Sequence, residues 1–239
     1  MTRCIVDETA DIFNAEAVED QVAAEAVGRL CSGRFGYRFV KRVFDVVFSA
    51  CVLIFCFVPG LVLCVLVARD TGGSPIYTQQ RIGMNGRAFC IYKLRTMVAD
   101  SDDVERYLSA EQLAQWERER KVDGDPRITP LGAKLRSTSL DEVPQFLNVL
   151  AGDMSVVGPR PLTLDELEQH FSPDERALLL SVPAGVTGFW QVGSRNDASF
   201  ENGERQTLEL GYARAASLHL DAKVIAGTLG AMFVRRTGR

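Results

Sequence analysis

The chain of 239 residues is long enough for one compact domain with an appendage, and its net charge of −4 lacks the basic excess of a general nucleic-acid binder. It contains only two histidines, which argues against a histidine-rich metal site or a Ser-His-Asp triad. None of its six cysteines forms a C-x-x-C pair, which fits a reducing cytosol. Carboxylates and basic side chains remain as the candidates for chemistry.

An uncharged, apolar run lies between residues 46 and 68. As a helix it would extend roughly 35 Å, enough to cross a hydrocarbon core of about 30 Å. Basic residues gather before it, so a straight span would leave the N-terminus inside and the rest of the chain outside. Pro59, near its middle, allows a second path, in which the helix breaks at Pro59 and both ends stay on the cytoplasmic side. Membrane helices also tolerate proline without turning back, so the straight span remains an alternative.

The remaining chain predicts a mostly helical α+β fold. Two β-prone stretches, 76–80 and 88–92, flank the pair Asn85-Gly86, which favours a tight hairpin turn. Amphipathic spacing predicts one helix over 101–121, and further helices are expected over 140–150, 173–180, 200–217 and 220–234. Ser172 and Glu175 have the spacing of a helix-starting capping box. The last helix has an apolar face that would either lie at the lipid interface or close the core.

The segment Ser139-Leu-Asp141-Glu142 has two interpretations. Ser-x-x-Glu is the pattern of a capping box, and acids in a first helical turn complement the helix dipole. Alternatively, Asp141 is a nucleophile toward phosphorus, and Asp141 or Glu142 holds Mg²⁺. Arg136 and Arg160, the latter between two prolines, would then neutralise phosphate oxygens that repel an incoming carboxylate.

A rival site is Asp123-Gly-Asp125, the Asp-x-Asp pattern of metal-dependent glycosyltransferases, which transfer the sugar without its phosphate and release UDP. Such a motif should end a buried strand. Here a charged, helix-prone stretch precedes it, which favours a solvated loop.

From residue 41 onward the chain resembles the monotopic phosphoglycosyl transferases of the bacterial sugar transferase family. The resemblance rests on ordered motifs: KRVFD at 41–45, GSPIYTQQRIG at 73–83, YKLRTM at 92–97, DPRITPLG at 125–132, RSTSLDEVPQ at 136–145, GDMSVVGPRP at 152–161 and GVTGFWQ at 185–191. It implies a re-entrant membrane helix over 41–70 and a cytoplasmic catalytic domain over 71–239, and the acidic residues 1–40 form an N-terminal extension without a counterpart in the family. Amphipathic interfacial helices complete the expected architecture.

The resemblance also implies a reaction. Asp141, paired with Glu142 and assisted by Mg²⁺, would attack the β-phosphate of a UDP-sugar, release UMP and retain a phosphosugar that passes to undecaprenyl phosphate. Arg136 and Arg160 are the implied phosphate ligands, and Lys93, Arg95 and Arg127 would line the site.

Partners and location follow from the same resemblance. The insertion over 99–122 is similar to members that use a hexose such as glucose or galactose, in exopolysaccharide, capsule or O-antigen synthesis. The expected location is the cytoplasmic face of the bacterial inner membrane, in contact with the lipid bilayer. The sequence leaves a homo-oligomer open, and a membrane-bound scaffold without turnover is the non-enzymatic alternative.

Overall fold

The computed structural model describes residues 35–119, 122–189, 191 and 203–230. Helices dominate these residues, and short strands form two small sheets, as the mostly helical α+β prediction requires. In chain order the elements are α1 (Phe35–Thr71), β1 (Ile76–Ile82), β2 (Ala88–Leu94), α2 (Val104–Tyr107), α3 (Ala110–Glu119), α4 (Pro130–Thr138), α5 (Gln145–Ala151), β3 (Ser155–Val157), α6 (Leu164–His170), α7 (Pro173–Leu179), β4 (Gly185–Thr187), α8 (Glu204–Ala215) and α9 (Leu218–Gly230). Most of the predicted N-terminal extension lies outside the described residues.

The predicted hairpin is confirmed. Strands β1 and β2 pair antiparallel from Ile76 opposite Leu94 to Ile82 opposite Ala88. Asn85 has a φ of 59° and Gly86 a φ of 74°, the left-handed conformations that favour an Asn-Gly pair at a tight turn. The hairpin thereby holds β2 and the side chains on it in a fixed register.

A second sheet was not predicted. Strands β3 and β4 pair in parallel, with Ser155 opposite Gly185 and Val157 opposite Thr187. Just beyond β3 the two segments approach so closely that a Cβ on Gly158 would lie 2.2 Å from the Pro183 carbonyl oxygen. Strands of three residues are too short to show alternation, so sequence periodicity cannot detect them.

Helix α1 contains the apolar run and continues through Pro59 over 37 residues. Its length and composition would allow it to cross a membrane, and its middle is exposed, with Phe55 at 85 % and Val58 at 68 %. The predicted break at Pro59 is not visible as an interruption of the helix, and the re-entrant path stays a prediction.

The first half of α1 is attached to the rest of the domain by polar contacts. Lys41 forms a buried ion pair with Asp221 of α9 at 2.9 Å. The Asp45 carboxylate accepts hydrogen bonds from the Ser155 hydroxyl at 3.0 Å and from the Val156 N–H at 2.9 Å. Charged side chains in a dry contact need such partners, so these bonds fix the rotation of α1 about its axis.

The second half of α1 packs on the same domain through apolar contacts. Val67, 1 % exposed, clusters with Leu94 at the end of β2 and Leu135 of α4. Both halves of the apolar helix therefore contact one body, and its most exposed apolar stretch, 54–58, lies between these contacts.

Two predicted helices differ from the structure. The stretch predicted as one helix over 101–121 contains α2 and α3, because Ser109 and Gln112 bond reciprocally through side chain and backbone and start a new helix. The helix predicted over 140–150 is wrong at its start: a 3₁₀ turn covers Leu140–Glu142, and α5 begins only after Pro144. Proline has no N–H to donate to the preceding turn, which explains the interruption.

The other helix predictions agree better. Helix α7 begins at the predicted Ser172–Glu175 capping box. Helix α8 lies within the predicted 200–217, and α9 begins two residues before the predicted 220. The expected continuation of α9 to 234 lies outside the described residues.

Candidate active site

Asp141 and Glu142 lie in the 3₁₀ turn between α4 and α5. Ser139 ends α4 in the left-handed conformation, with φ of 56°, and its side chain makes no capping hydrogen bond. The capping-box interpretation of this segment is therefore wrong. A left-handed serine has a conformational cost, and this turn leaves Asp141 buried at 8 % exposure.

Lys93 of β2 pairs with Glu142, with 3.1 Å between the ammonium nitrogen and the carboxylate oxygen. The two residues are 49 positions apart in the chain and meet because the hairpin packs against the 3₁₀ turn. Burial lowers the pKa of Lys93, and the negative charge of Glu142 opposes that effect. The pairing places a cation beside the two adjacent carboxylates.

The electrostatic environment of Asp141 is mixed. Burial raises its pKa above the ordinary value, and the charge of neighbouring Glu142 raises it further. The positive charges of Lys93 and Arg136 lower the same pKa. The two cations therefore favour the ionised, nucleophilic form of Asp141 against the effects of burial and Glu142.

Arg136 and Arg160 both belong to this charged group. Arg136 lies in the last turn of α4, donates from Nε to the Thr96 hydroxyl at 2.8 Å, and is close enough to Asp141 to influence its titration. The charge of Arg160, which follows β3, lowers the pKa of both Lys93 and Arg136. Four of the predicted residues thus meet from β2, α4 and the 3₁₀ turn, and Arg160, in the loop after β3, is close enough to Lys93 and Arg136 to influence their pKa values.

Arg95 and Arg127 have local partners. Arg127, 5 % exposed, is held by Asp125 through paired guanidinium contacts at 2.6 and 2.9 Å, and donates to the Ser101 carbonyl. Arg95 donates to the Ser74 carbonyl at 2.9 Å and lies over the Tyr77 ring. Their proposed contact with substrate stays a prediction.

The rival Asp-x-Asp motif is not built as a nucleotide-metal site. The Asp125 carboxylate is buried against Arg127, whereas Asp123 is exposed, and Gly124 between them has φ of 64°. The two carboxylates therefore have different environments in a loop, and none of the strands in the described part of the chain ends at them.

A second layer of charges was missed by sequence reasoning. Arg81 pairs with Glu166 at 2.7 Å and donates to the Pro161 carbonyl, next to Arg160. Arg205 and Glu209 lie one turn apart on α8, and burial lowers the pKa of Arg205 to about 10 and raises that of Glu209 to about 7. The only local signal was the spacing of an acid and an arginine by four residues, which is common on exposed helices.

The carboxylates fit a magnesium ion of the substrate-bridging kind. Among the described residues no group of three or more potential metal-binding side chains occurs. Mg²⁺ commonly uses one or two carboxylates together with substrate phosphates and water, and the adjacent, mutually repelling Asp141 and Glu142 match that donor set.

Comparison with known proteins identifies the family of this protein. A profile of the bacterial sugar transferase family matches residues 36–235, and the chain belongs to this family. It is 42 % identical over 204 residues to the undecaprenyl-phosphate galactose phosphotransferase of Salmonella typhimurium, which covers 84 % of this chain and 42 % of the relative.

Two further relatives differ from each other in the share of their length that this chain covers. The exopolysaccharide production protein ExoY of Rhizobium meliloti is 40 % identical over 82 % of this chain and 86 % of its own length. The UDP-glucose:undecaprenyl-phosphate glucose-1-phosphate transferase of Klebsiella pneumoniae is 35 % identical over 82 % of this chain and 41 % of its own. The chain thus spans about two fifths of the Salmonella and Klebsiella relatives and most of the Rhizobium one.

Proposed function

We propose that this protein transfers a hexose-1-phosphate from a UDP-hexose to a polyprenyl phosphate, releasing UMP, at the Asp141–Glu142 pair. The observation that supports it most is the position of this pair, beside Lys93 and Arg136 and between two helices that contact the apolar helix. The names of the Salmonella and Klebsiella relatives favour galactose or glucose as the sugar and undecaprenyl phosphate as the acceptor.

In the first half-reaction an Asp141 oxygen attacks the β-phosphorus of the donor. A bond forms between Asp141 and phosphorus, and the bond from that phosphorus to the oxygen bridging to UMP breaks, with the electron pair leaving on UMP. Arg136 and Arg160 neutralise the diphosphate, and their guanidinium groups match the geometry of phosphate oxygens. Without such neutralisation an anionic nucleophile would be repelled from its anionic substrate.

In the second half-reaction a phosphate oxygen of the lipid attacks the same phosphorus. The bond to Asp141 breaks, its carboxylate is restored, and the product is a polyprenyl diphosphate sugar. One carboxylate therefore serves as nucleophile and then as leaving group. The Lys93–Glu142 ion pair stabilises the turn while the Asp141 carboxylate loses its negative charge in the first half-reaction and regains it in the second. Bound Mg²⁺, held by Asp141 and Glu142, would supply further neutralisation of the phosphate oxygens.

The placement of the dyad favours a lipid acceptor. Helix α4, which precedes it, packs through Leu135 on the second half of α1. Helix α5, which follows it, packs through Phe146 on Phe48 of the first half, with ring centroids 5.9 Å apart. The turn between α4 and α5 is thus tied to both halves of the apolar helix, which supports a position near the membrane surface.

The same contacts support a re-entrant course for α1. One domain contacts both ends of the apolar helix, and a single body cannot lie on both sides of a bilayer. The helix would enter the cytoplasmic leaflet of the inner membrane and return through a bend near Pro59. A mid-helix proline removes one backbone hydrogen bond and makes such a bend accessible.

Topology can be tested by labelling single cysteines. In a background lacking the native cysteines, Arg38→Cys and Asp70→Cys place a thiol at each exposed end of α1. We expect a membrane-impermeant maleimide to label both in inverted vesicles and neither in intact spheroplasts. Phe55→Cys, in the exposed middle, is the control for lipid protection. Labelling of the two ends from opposite sides would contradict the re-entrant course.

Two exposed leucines beside the dyad should contact the acceptor chain. Leu140 precedes Asp141 and is 39 % exposed, and Leu147 of α5 is 50 % exposed. We expect the Leu140→Asn and Leu147→Asn double variant to raise the KM for undecaprenyl phosphate about tenfold, since apolar contact area is lost. Exchange of labelled UMP into UDP-hexose, which needs no acceptor, should stay near wild type. Leu218→Asn, 45 % exposed on α9, is the matched control.

Nucleotide release tests the reaction itself. The purified protein is incubated with Mg²⁺, undecaprenyl phosphate and a panel of UDP-sugars, and the released nucleotide is identified. UMP with one sugar would establish phosphosugar transfer and the donor. UDP would favour the glycosyltransferase alternative, and no nucleotide across a broad panel would favour the scaffold.

A further inference from the structure

We propose that Glu209 is a positioning residue, which holds Arg160 in the orientation that binds the donor diphosphate; the inference rests on the proposed function. Glu209 lies on α8, far from the dyad in sequence, and is 2 % exposed. Nothing in the reaction chemistry requires an acid at this position.

The contact is made to the backbone of Arg160. Both carboxylate oxygens of Glu209 accept from the Arg160 N–H, at 3.2 and 3.3 Å. Pro159 and Pro161 have no N–H, so Arg160 supplies the one backbone donor of this tripeptide. A bond to that donor fixes the turn at the residue whose side chain meets the phosphate.

Other contacts fix this loop through its carbonyls. The Pro159 carbonyl accepts from the Gly185 N–H at 2.7 Å, and the Pro161 carbonyl accepts from Arg81 at 3.2 Å. The Pro159 carbonyl and the Arg160 N–H belong to the same planar peptide group, so the Gly185 and Glu209 bonds hold its two ends and together fix its orientation. Glu209 is the side chain that supplies this constraint on the N–H end.

The cost of burying Glu209 indicates that its position is not incidental. Burial raises the pKa of this carboxyl to about 7, and the charges of Arg205 and Arg160 act in the opposite direction. A glutamate in an apolar core without partners would be replaced by a neutral side chain at no loss of packing. Here the carboxylate faces Arg205 one turn away and reaches the N–H that orients Arg160.

Two conservative substitutions separate a positioning role from a charge role. Glu209→Gln keeps the reach and an oxygen acceptor and loses the charge. Glu209→Asp keeps the charge beside Arg205, so it is expected to fold, but shortens the side chain by about 1.5 Å. If Glu209 positions Arg160, Glu209→Asp lowers UDP affinity about tenfold and kcat/KM for UDP-hexose up to about 100-fold, whereas Glu209→Gln stays within about threefold of wild type.

The decisive measurement is whether substitutions of Glu209 and Arg160 have coupled effects on UDP affinity. UDP binding by the full-length protein with Mg²⁺ is measured by calorimetry for Glu209→Asp, Arg160→Ala and the double variant. Because the two residues act as one unit, the double variant should bind UDP as weakly as Arg160→Ala alone. Asp221→Asn is the control: this acid is also buried, pairs with Lys41, and should lower Tm without changing UDP affinity.

The outcomes are distinct. Additive losses in the double variant, or a larger loss in Glu209→Gln than in Glu209→Asp, would overturn the positioning role. If the wild type binds UDP and the cycle is coupled but no UMP is released with any sugar, the proposed reaction fails while the positioning role stands. If the wild type does not bind UDP, both are overturned.

Discussion

Asp141→Asn should lower kcat for sugar-1-phosphate transfer by about 10³-fold or more while UDP binding is retained. The amide oxygen is a poor nucleophile toward phosphorus, and loss of a covalent nucleophile normally removes most of the chemical rate. Aspartate and asparagine side chains have nearly the same volume, so the buried turn should keep its conformation in the variant. The measurement is UMP release under saturating substrates, together with mass spectrometry of the protein incubated with UDP-hexose alone.

The same substitution should not destabilise the protein at neutral pH. Burial and Glu142 raise the pKa of Asp141 in the folded state. The folded state then binds its proton more tightly than the unfolded state, so this group lowers stability as pH rises through that raised value. Asp141→Asn should therefore have a Tm equal to or above wild type at pH 7.5, with the difference shrinking toward pH 4.

A matched control separates chemistry from a general charge effect. Asp174→Asn makes the same change at an exposed position in the first turn of α7 and should leave kcat within about twofold. Wild-type protein should gain the mass of a hexose phosphate, and Asp141→Asn should not. Retention of that adduct or of UMP release in Asp141→Asn would show that another group is the nucleophile.

Local signals in the sequence were sufficient for several elements. The hairpin could be predicted because Asn85-Gly86 tolerates positive φ, and the start of α7 because Ser172 and Glu175 satisfy each other. The apolar run before and after Pro59 was visible by composition alone. These features are decided by residues close together in the chain.

Other features depend on distant residues. The three-residue strands β3 and β4 form only because Gly158 and Gly185 permit close backbone approach. The left-handed Ser139 reverses the simplest interpretation of Ser-x-x-Glu, since a cap requires an extended residue at that point. No short-range pattern distinguishes Glu209 from an ordinary exposed helix acid, because its partner is brought to it by the tertiary fold.

In the candidate site, too, some residues could be predicted from nearby sequence and others depend on distant contacts. Asp141, Glu142, Arg136 and Arg160 were found as neighbours of two short motifs, whereas Lys93 was indicated only by resemblance. Its contact with Glu142 requires the hairpin to pack on the 3₁₀ turn, a contact between segments far apart in the chain. The charged second layer depends on tertiary packing, of α6 on β1 for Arg81 and of α8 on the loop after β3 for Glu209, and could not be derived from spacing.

Lys93→Met is expected to lower kcat/KM for UDP-hexose about 100-fold at pH 6.5 and by less at pH 8.5, relative to wild type at the same pH. The ammonium of Lys93 pairs with Glu142 and lowers the pKa of Asp141. Without it the pKa of Asp141 rises, a larger fraction of the nucleophile is protonated in acid, and the acidic limb of the profile moves to higher pH. The loss of kcat/KM that remains at high pH is due to the missing positive charge beside the phosphates of the UDP-hexose.

The control for Lys93→Met is Lys134→Met, which removes an exposed lysine from α4 and should leave the profile unchanged. Burial lowers the pKa of Lys93, so the wild-type profile should also decline on its alkaline side as Lys93 loses its proton. That decline should be absent in Lys93→Met and also in Lys93→Arg, because a guanidinium keeps its proton throughout the pH range of an activity assay. If Lys93→Met lowered kcat/KM by the same factor at every pH, the role of Lys93 would be restricted to stabilising the turn. If the acidic limb of its pH profile moved to lower pH, the proposed effect of Lys93 on the pKa of Asp141 would be contradicted.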